Sequence, residues 1–399
     1  MQVVIPAGNF GLNKRDSISV AKIDVLLPTY NSAKYLKSAV DSIRKQTVSD
    51  IRIIIIDDGS TDATGSLIEE MKAIDPRIVY HHQENAGIVA ALNNGLELCN
   101  APYIARMDGD DISYPDRFEK ELVCLEANPD YVAVSGLARH IDSEGKFLGT
   151  ISTRKEAANA NACALPAAEP YLLHPMLMVR RDAIKRAGGY RYVYQSEDSD
   201  LYWRLSDTGS LYVLPDIVGD YRMHSGSVSA ASIIHGRQAA IWSQLAALSE
   251  QRRREGRPDC EFSPEQMETV KIQTVLHLIA RSAEQTFNLN DSEILWFRSA
   301  VSAKFLELCY YRPYDPDKTD VQFILNSINS DTDIFNRPDY AKFRESIISA
   351  SVRMLLSGRW KDALTLATPR RWPTLFARVF FRVAIPGTIK QWIKTAAGR

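Results

Sequence analysis

Apolar positions enter the chain in two alternating rhythms. Short runs of aliphatic and β-branched residues each end in a polar turn signal: IDVLLPTYN (Ile23 to Asn31), IRIIIIDDGS (Ile51 to Ser60), RIVYHHQ (Arg77 to Gln83) and APYIARMD (Ala101 to Asp108). The second of these is nearly continuous, which suits a strand buried on both faces. Between them lie stretches with apolar residues at helical spacing: Leu36, Val40 and Ile43 within 34–46, and Leu67, Ile68 and Met71 within 61–73. Ile88, Leu92 and Leu96 follow Asn85, a residue type that caps helices. A further helix is predicted over Arg117 to Ala127 and a further strand over YVAVSGLARHI. Strands alternating with helices imply an α/β fold, a mostly parallel central sheet flanked by helices. Ligands of such sheets bind at the carboxyl ends of the strands, where PTYN, DDGS and MDGDD all fall.

The rhythm changes after Thr150. Residues 151–170 read as a flexible connection rich in Ala and Asn. LLHPMLMVRRDAIKRAGGY predicts a short strand, a helix and a glycine stop. EDSDLYWRLSDTG predicts a helix whose opening acids suit the positive end of its dipole, and LYVLPDIVGDYRMHSGSVS a strand running into a Ser-rich loop. From Ser232 onward the pattern is helical, with breaks near GRPDCEFSP and NRPDY. The expected organisation is a leader over 1–22, an α/β domain over 23–230 with halves 23–115 and 116–230, a helical C-terminal region over 231–369, and a tail over 370–399. That tail carries seven Lys/Arg and no Asp or Glu. Trp372, Leu375, Phe376, Val379, Phe380 and Val383 share one helical face, with Arg371, Arg378 and Arg382 beside it. Such a helix suits an anionic membrane surface, or else packs its apolar face on the protein.

Composition excludes more than it identifies. The 399 residues are 45% hydrophobic and 24% charged with a formal net charge of −1, so the whole molecule is not a nucleic-acid binder by electrostatics. Five scattered cysteines without a CxxC argue against a disulfide framework or a structural zinc site and fit a reducing cytoplasm. The N-terminal stretch lacks the pattern of a signal peptide, and no window reaches about 18 uninterrupted apolar residues.

The chemistry concentrates in acidic clusters. In ARMDGDDISYPDR, Asp108, Asp110 and Asp111 stand nearly side by side, and like charges so placed repel unless a cation joins them. Read as strand, the alternation turns Asp108 and Asp110 to one cavity and Asp111 aside, with Gly109 leaving room for a ligand. Oxygen-only donors suit Mg²⁺ or Mn²⁺ and a phosphate-bearing substrate; a solvated acidic turn is the alternative. DDGS suits a nucleoside pocket under Tyr30, and equally a strand-to-helix turn. Asp198, beside Glu197 at a helix start, suits a general base, and both acids equally complement the helix dipole. His224 suits a metal or diphosphate contact, or a surface loop. His174 reads as a structural histidine near an acceptor.

PTYN, DDGSTD, NAGIVAALNNGL, RMDGDD, HPMLMVRR, EDSDLYWRL and YRMHSGSVS, in this order from about Ile23 to Ser229, closely resemble the family 2 inverting glycosyltransferases of GT-A fold, of the kind that build bacterial cell-surface polysaccharide. The resemblance implies a nucleotide-diphosphosugar donor, first of all a UDP-sugar, with Mn²⁺ or Mg²⁺. It also implies a saccharide or lipid-linked saccharide acceptor, a nucleotide-binding half over 23–115 and an acceptor-binding half over 116–230. Site residues follow by motif: Pro28, Tyr30, Asp57, Asp58, Asn85, Arg106 and Asp108 toward the donor, Asp110 and His224 toward the metal, Asp198 as catalytic base, and Glu197 and His174 near the acceptor. The expected location is the cytoplasm, peripheral on the inner face of the membrane where the tail binds it. A non-catalytic sugar-nucleotide or glycan-binding module of the same fold is the competing reading. A nucleotidyltransferase is disfavoured because PTYN replaces a glycine- and basic-rich loop, and a dinucleotide oxidoreductase because no GxGxxG follows the first strand.

Overall fold

The computed structural model describes residues 20–224, 232–311 and 314–384. Most of the expected leader, the end of the Ser-rich loop and residues 385–399 of the tail lie outside the described residues. The strands are β1 (Ile23–Thr29), β2 (Ile51–Asp57), β3 (Ile78–His82), β4 (Tyr103–Arg106), β5 (Ile112–Ser113), β6 (Tyr131–Ile141), β7 (Phe147–Ile151), β8 (Leu177–Arg180) and β9 (Ser210–Arg222). Helices α1 (Ala33–Arg44), α2 (Thr64–Ile74), α3 (Ile88–Leu98), α4 (Arg117–Ala127), α5 (Arg181–Arg186) and α6 (Glu197–Ser206) intersperse with them. Then come α7 (Ile233–Arg254), α8 (Pro264–Lys271), α9 (Leu276–Thr286), α10 (Asp291–Tyr311), α11 (Lys318–Ser330), α12 (Tyr340–Leu356) and α13 (Trp360–Ala384).

The sheet runs β3-β2-β1-β4-β8-β6-β9-β5, with β7 on β6. It is parallel from β3 through β4 and again between β6 and β9; β8 is antiparallel to both β4 and β6. This is the expected α/β architecture with a helical C-terminal region. The alternation of strand side chains explains the unbroken isoleucines of β2. Ile53 and Ile55 bury against Leu36, Val40 and Ile43 of α1 and Ile68 of α2, while Ile54 and Ile56 bury against Val89 and Leu92 of α3.

Two expectations about local structure change. α3 begins after Gly87 rather than on a cap from Asn85; the Asn85 amide instead donates to the Asp58 carbonyl at 2.9 Å. The segment 151–170 is largely irregular, but Ala162, Leu165 and Ala167 are buried in the core of the helical region, so it packs as a strap rather than trailing as a linker. In the tail, Leu375 is fully buried and Val379 packs beside it, whereas Trp372, Phe376, Phe380 and Val383 face outward. The expected single apolar stripe is thus split. Arg371 and Arg378 bond to Tyr340 and Glu345 of α12.

Beneath the acidic turn, Arg117 is fully buried at the start of α4. Its guanidinium donates to the Arg106 carbonyl at 2.8 Å and to Ser113 Oγ at 2.9 Å, and pairs with the buried Glu121 at 3.2 Å. It therefore ties β4, β5 and α4 together below residues 107–111. Removing one partner of a buried pair strands the other charge. Arg117→Met is expected to cost about 3–5 kcal/mol in denaturant unfolding, and Arg117→Met with Glu121→Leu less than the single change.

Candidate active site

The carboxyl ends of β1, β2 and β4 meet through their loops. Asn31, at φ 48°, accepts the Thr61 N–H at 2.8 Å, so the PTYN turn is stapled to the DDGSTD turn. Asn tolerates this left-handed conformation better than most residues. Gly59, at φ 76°, passes so close to Asn85 that a Cβ there would stand 2.7 Å from the Asn85 nitrogen. The two aspartates of DDGS are themselves braces. Asp57 accepts from Ser60 N–H at 2.9 Å and from the Tyr80 hydroxyl at 3.1 Å, and lies 3.1 Å from His82 Nδ1. Burial pushes its carboxyl up, but these bonds outweigh it and hold it below the usual range. Asp58 accepts from Gln83 Nε2 at 2.8 Å and from the Ala86 and Gly87 N–H groups at 2.9 Å. Tyr30 stands half-exposed at the rim, next to the buried Pro28.

β4 ends at Arg106, and 107–111 form a turn rather than a strand. Strand alternation therefore does not operate there. The turn brings Asp111 to the other two acids instead of aside: Asp108, Asp110 and Asp111 each present a carboxylate oxygen within 4.8 Å of the others. Asp111 is buried; its Oδ1 accepts the Arg222 N–H at 2.8 Å, and its Oδ2 is buried without a partner. Burial first, and then Asp108 and Asp110, push the Asp111 carboxyl well above the usual range. The space at Gly109 is taken by this chain, since a Cβ there would meet Thr29 Oγ1 at 3.0 Å. His224 Nε2 lies 2.9 Å from Asp110 Oδ2, at the edge of the cluster. Arg222, two residues earlier in YRMH, donates from Nε to the Asp110 carbonyl at 2.8 Å and lies over the Tyr35 ring. The acids thus sit on a turn clamped from β9, with oxygen and imidazole donors converging and a buried oxygen lacking any partner. That donor set fits a hard divalent cation.

A second acidic pair faces the first. Asp198 accepts the Ser199 N–H at 2.7 Å in the first turn of α6. Burial pushes its carboxyl up to about 6. Burial and the neighbouring Asp198 push Glu197 up to about 7, and Asp108 adds to that, which places the two clusters within electrostatic reach. Asp200, two residues further along α6, is a structural ion: it pairs with Arg204 at 2.7 Å and with Arg191. Arg106 lies between the clusters, buried, with Nη2 2.5 Å from Asp108 Oδ1 and with Nε and Nη1 lacking partners. His174 is buried with Nε2 2.8 Å from the Tyr190 hydroxyl. Burial and Arg106 push its pKa well below the ordinary value, so it is a neutral imidazole supporting the site from below. A cavity of ≈160 Å³ opens beside Asp198, lined in part by Glu169, Tyr171 and Tyr202. Among the residues at the site, Arg117, Arg222 and Glu169 had not been singled out from the sequence. Only Arg222 carried a signal, its place in the same strand end as His224.

The family model described as "Glycosyl transferase family 2" matches residues 24–188. The chain is 28% identical over 228 residues to "Chondroitin synthase" of Escherichia coli, covering 56% of this chain and 30% of that protein. It is 32% identical over 222 residues to an "Uncharacterized glycosyltransferase" of Haemophilus influenzae, covering 52% of this chain and 67% of that relative. It therefore spans under a third of the length of the chondroitin synthase. Among solved structures, S. aureus TarS 1-349 in complex with UDP-GlcNAc superposes with a TM-score of 0.50 at 14% identity, over 79% of this chain and 91% of that one. That likeness is one of fold, the GT-A architecture. With the family model spanning β1 to α5 and the acidic turn inside it, the chain belongs to glycosyl transferase family 2.

Proposed function

We propose that the chain is an inverting, divalent-cation-dependent glycosyltransferase. It moves a hexosyl or N-acetylhexosaminyl group from a nucleoside-diphosphate sugar, first of all a UDP-sugar, to a hydroxyl of a saccharide or lipid-linked saccharide in surface polysaccharide synthesis. The observation that carries this is the buried, partnerless Asp111 Oδ2 within the Asp108–Asp110–Asp111 cluster, an arrangement that calls for a cation. The resemblance to a chondroitin synthase and the fold shared with a UDP-GlcNAc-bound structure support the donor and the polysaccharide context.

In this reading Asp110, Asp111 and His224 hold Mn²⁺ or Mg²⁺, and Asp108, steadied by Arg106, faces the donor. The cation when bound supplies Lewis-acid stabilisation of the departing diphosphate. Tyr30 offers a face to the base, on loops that Asp57, Asp58 and Asn85 hold in shape beside Pro28. Asp198 accepts the proton of the acceptor hydroxyl. That oxygen bonds to the anomeric carbon as the bond to the diphosphate breaks on the opposite face, and the nucleoside diphosphate leaves with the electron pair. Configuration inverts because the acceptor enters from the Asp198 side. Glu197 and His174 shape the ground beneath it.

The exposed Phe376, Phe380 and Val383, with the basic residues of the tail, suit peripheral contact with an anionic membrane on its cytoplasmic face. No described helix is long and apolar enough to cross a membrane.

Five outcomes are expected. Nucleotide sugars offered with Mn²⁺ and glycan acceptors release nucleoside diphosphate; a binding module would bind donor without release. Asp198→Asn lowers that release by about 10²–10⁴-fold while donor-induced thermal stabilisation persists. Because the base works only when ionised, kcat/KM rises with pH through about 6 and levels above it, falling about tenfold per pH unit on the acid side. Mn²⁺ at 100 times its Kd stabilises the protein by about 2.7 kcal/mol, seen as a rise in Tm that Asp110→Ala abolishes. Phe376→Ser with Phe380→Ser, at exposed positions, removes co-sedimentation with phosphatidylglycerol vesicles; unchanged sedimentation rules out membrane contact through this helix.

A further inference from the structure

The cavity beside Asp198 is not built by the α/β domain alone. Glu169, Tyr171 and Tyr202 form one wall, and Ala239 and Ser243 of α7 with Lys304 and Leu308 of α10 close the other. Within it runs a continuous polar chain. Lys304 Nζ lies 2.7 Å from Glu169 Oε1, the Ser199 hydroxyl donates to Glu169 Oε2 at 2.7 Å, and the Ser199 N–H donates to Asp198 Oδ1 at 2.7 Å. Lys304 and Glu169 keep only 15% and 20% of their side chains exposed, so solvent screens the pair little. The apolar cluster of α7, α9, α10 and α12 already closes the helical region. A lysine aimed out of it at an acid is therefore not needed for packing, and ordering it costs side-chain entropy and hydration.

We propose that Lys304 is a positioning residue for Asp198, reaching from α10 through Glu169 and Ser199 to fix the carboxylate and place a positive charge beside it. The inference rests on the reading of Asp198 as the general base. The groups that face Asp198 are Glu197 and Tyr202 on its own helix, Glu169 of the strap and Tyr171 just after it, Tyr190 before the helix, Arg106 of β4 and Lys304 of α10. Two of these are cations, one from each part of the chain. Burial opposes the Lys304 charge, but Glu169, Glu307 and Asp198 hold its ammonium above the ordinary lysine value, so it stays charged throughout the working range.

The signs separate this role from a structural one. Lys304→Met removes the cation and leaves Glu169 uncompensated, so Asp198 is harder to ionise. Glu169→Gln removes an anion and frees Lys304 toward Asp198, so it is easier to ionise. The test follows the Asp198 carboxyl carbon by NMR in the full chain, assigned with Asp198→Asn, alongside the pH profile of nucleoside diphosphate release. Lys304→Met is expected to move the titration and the acid limb upward by about one pH unit, Lys304→Arg to restore them, and Glu169→Gln to move them downward. The double variant Lys304→Met with Glu169→Gln lies between the singles. Glu169→Gln, a near-isosteric change, keeps the test open where Lys304→Met unfolds the protein. Singles that shift the same way, or lose rate with no shift, overturn the proposal. The titration needs no turnover: an unmoved Asp198 overturns the role of Lys304 whatever the activity, whereas a moved Asp198 with no release from any donor overturns the transferase reading alone.

Discussion

The guanidinium of Arg106 lies buried at the end of β4, and Asp108, Asp111, Glu197 and Asp198 all feel its charge. One cation cannot balance four carboxylates drawn out of water, since each acid's desolvation adds to its neighbours' repulsion. Two consequences follow from this imbalance. The acids nearest α6 relax it by holding protons up to near-neutral pH, which is what a proton acceptor needs. The acids on the turn are raised as well, Asp111 well above its usual range, yet they stay crowded, because Asp111 is fixed by the Arg222 N–H and its second oxygen is sealed from water. A positive charge brought by a ligand answers the second problem without disturbing the first.

Such a cluster persists only where the backbone beneath it cannot spread. Arg117 below and Arg222 above supply that restraint, their guanidinium groups through main-chain carbonyls, while the Arg222 N–H takes one oxygen of Asp111. Arginine suits the task because its planar fork makes several bonds in fixed directions and remains charged when buried. The acids stay available while the turn is held. The DDGS loop follows the opposite plan: Asp57 and Asp58 spend their oxygens on neighbouring N–H and O–H groups, so the loop is rigid, and the exposed Tyr30 of the adjoining PTYN turn is the part turned outward.

The parallel half of the sheet was legible because its signals are local: an isoleucine run with α-helical spacing on either side leaves little choice of fold. The place of the acidic turn was legible for the same reason, since it follows a strand. The conformation of that turn was not. Whether residue 111 continues a strand or closes a turn depends on where β4 loses its partners, and those partners, β1 and β8, lie far away in the chain. Arg117 and Glu121 read as an ordinary helical pair at i, i+4, a pattern usually found in solvent; only the packing of α4 against β6 and β8 reveals that both are buried. The strap over 151–170 looked like a linker because alanines and asparagines carry little periodicity, yet small residues are what fit against helices at close range.

The strap explains why the two parts of the chain behave as one site. Glu169 sits at its end and would lose the Lys304 charge if α10 were absent, so the α/β domain by itself would carry one more unbalanced acid beside Asp198, the residue proposed as the base. Lys304 removes that excess from outside the sheet. Arg106 and Lys304 then each bring a positive charge to bear on Asp198, one rooted in β4 and one in α10. A site balanced by charges from two separately packed cores responds to how those cores sit together. On this account the helical region bears on the ionisation of the base as well as on the shape of the cavity it closes.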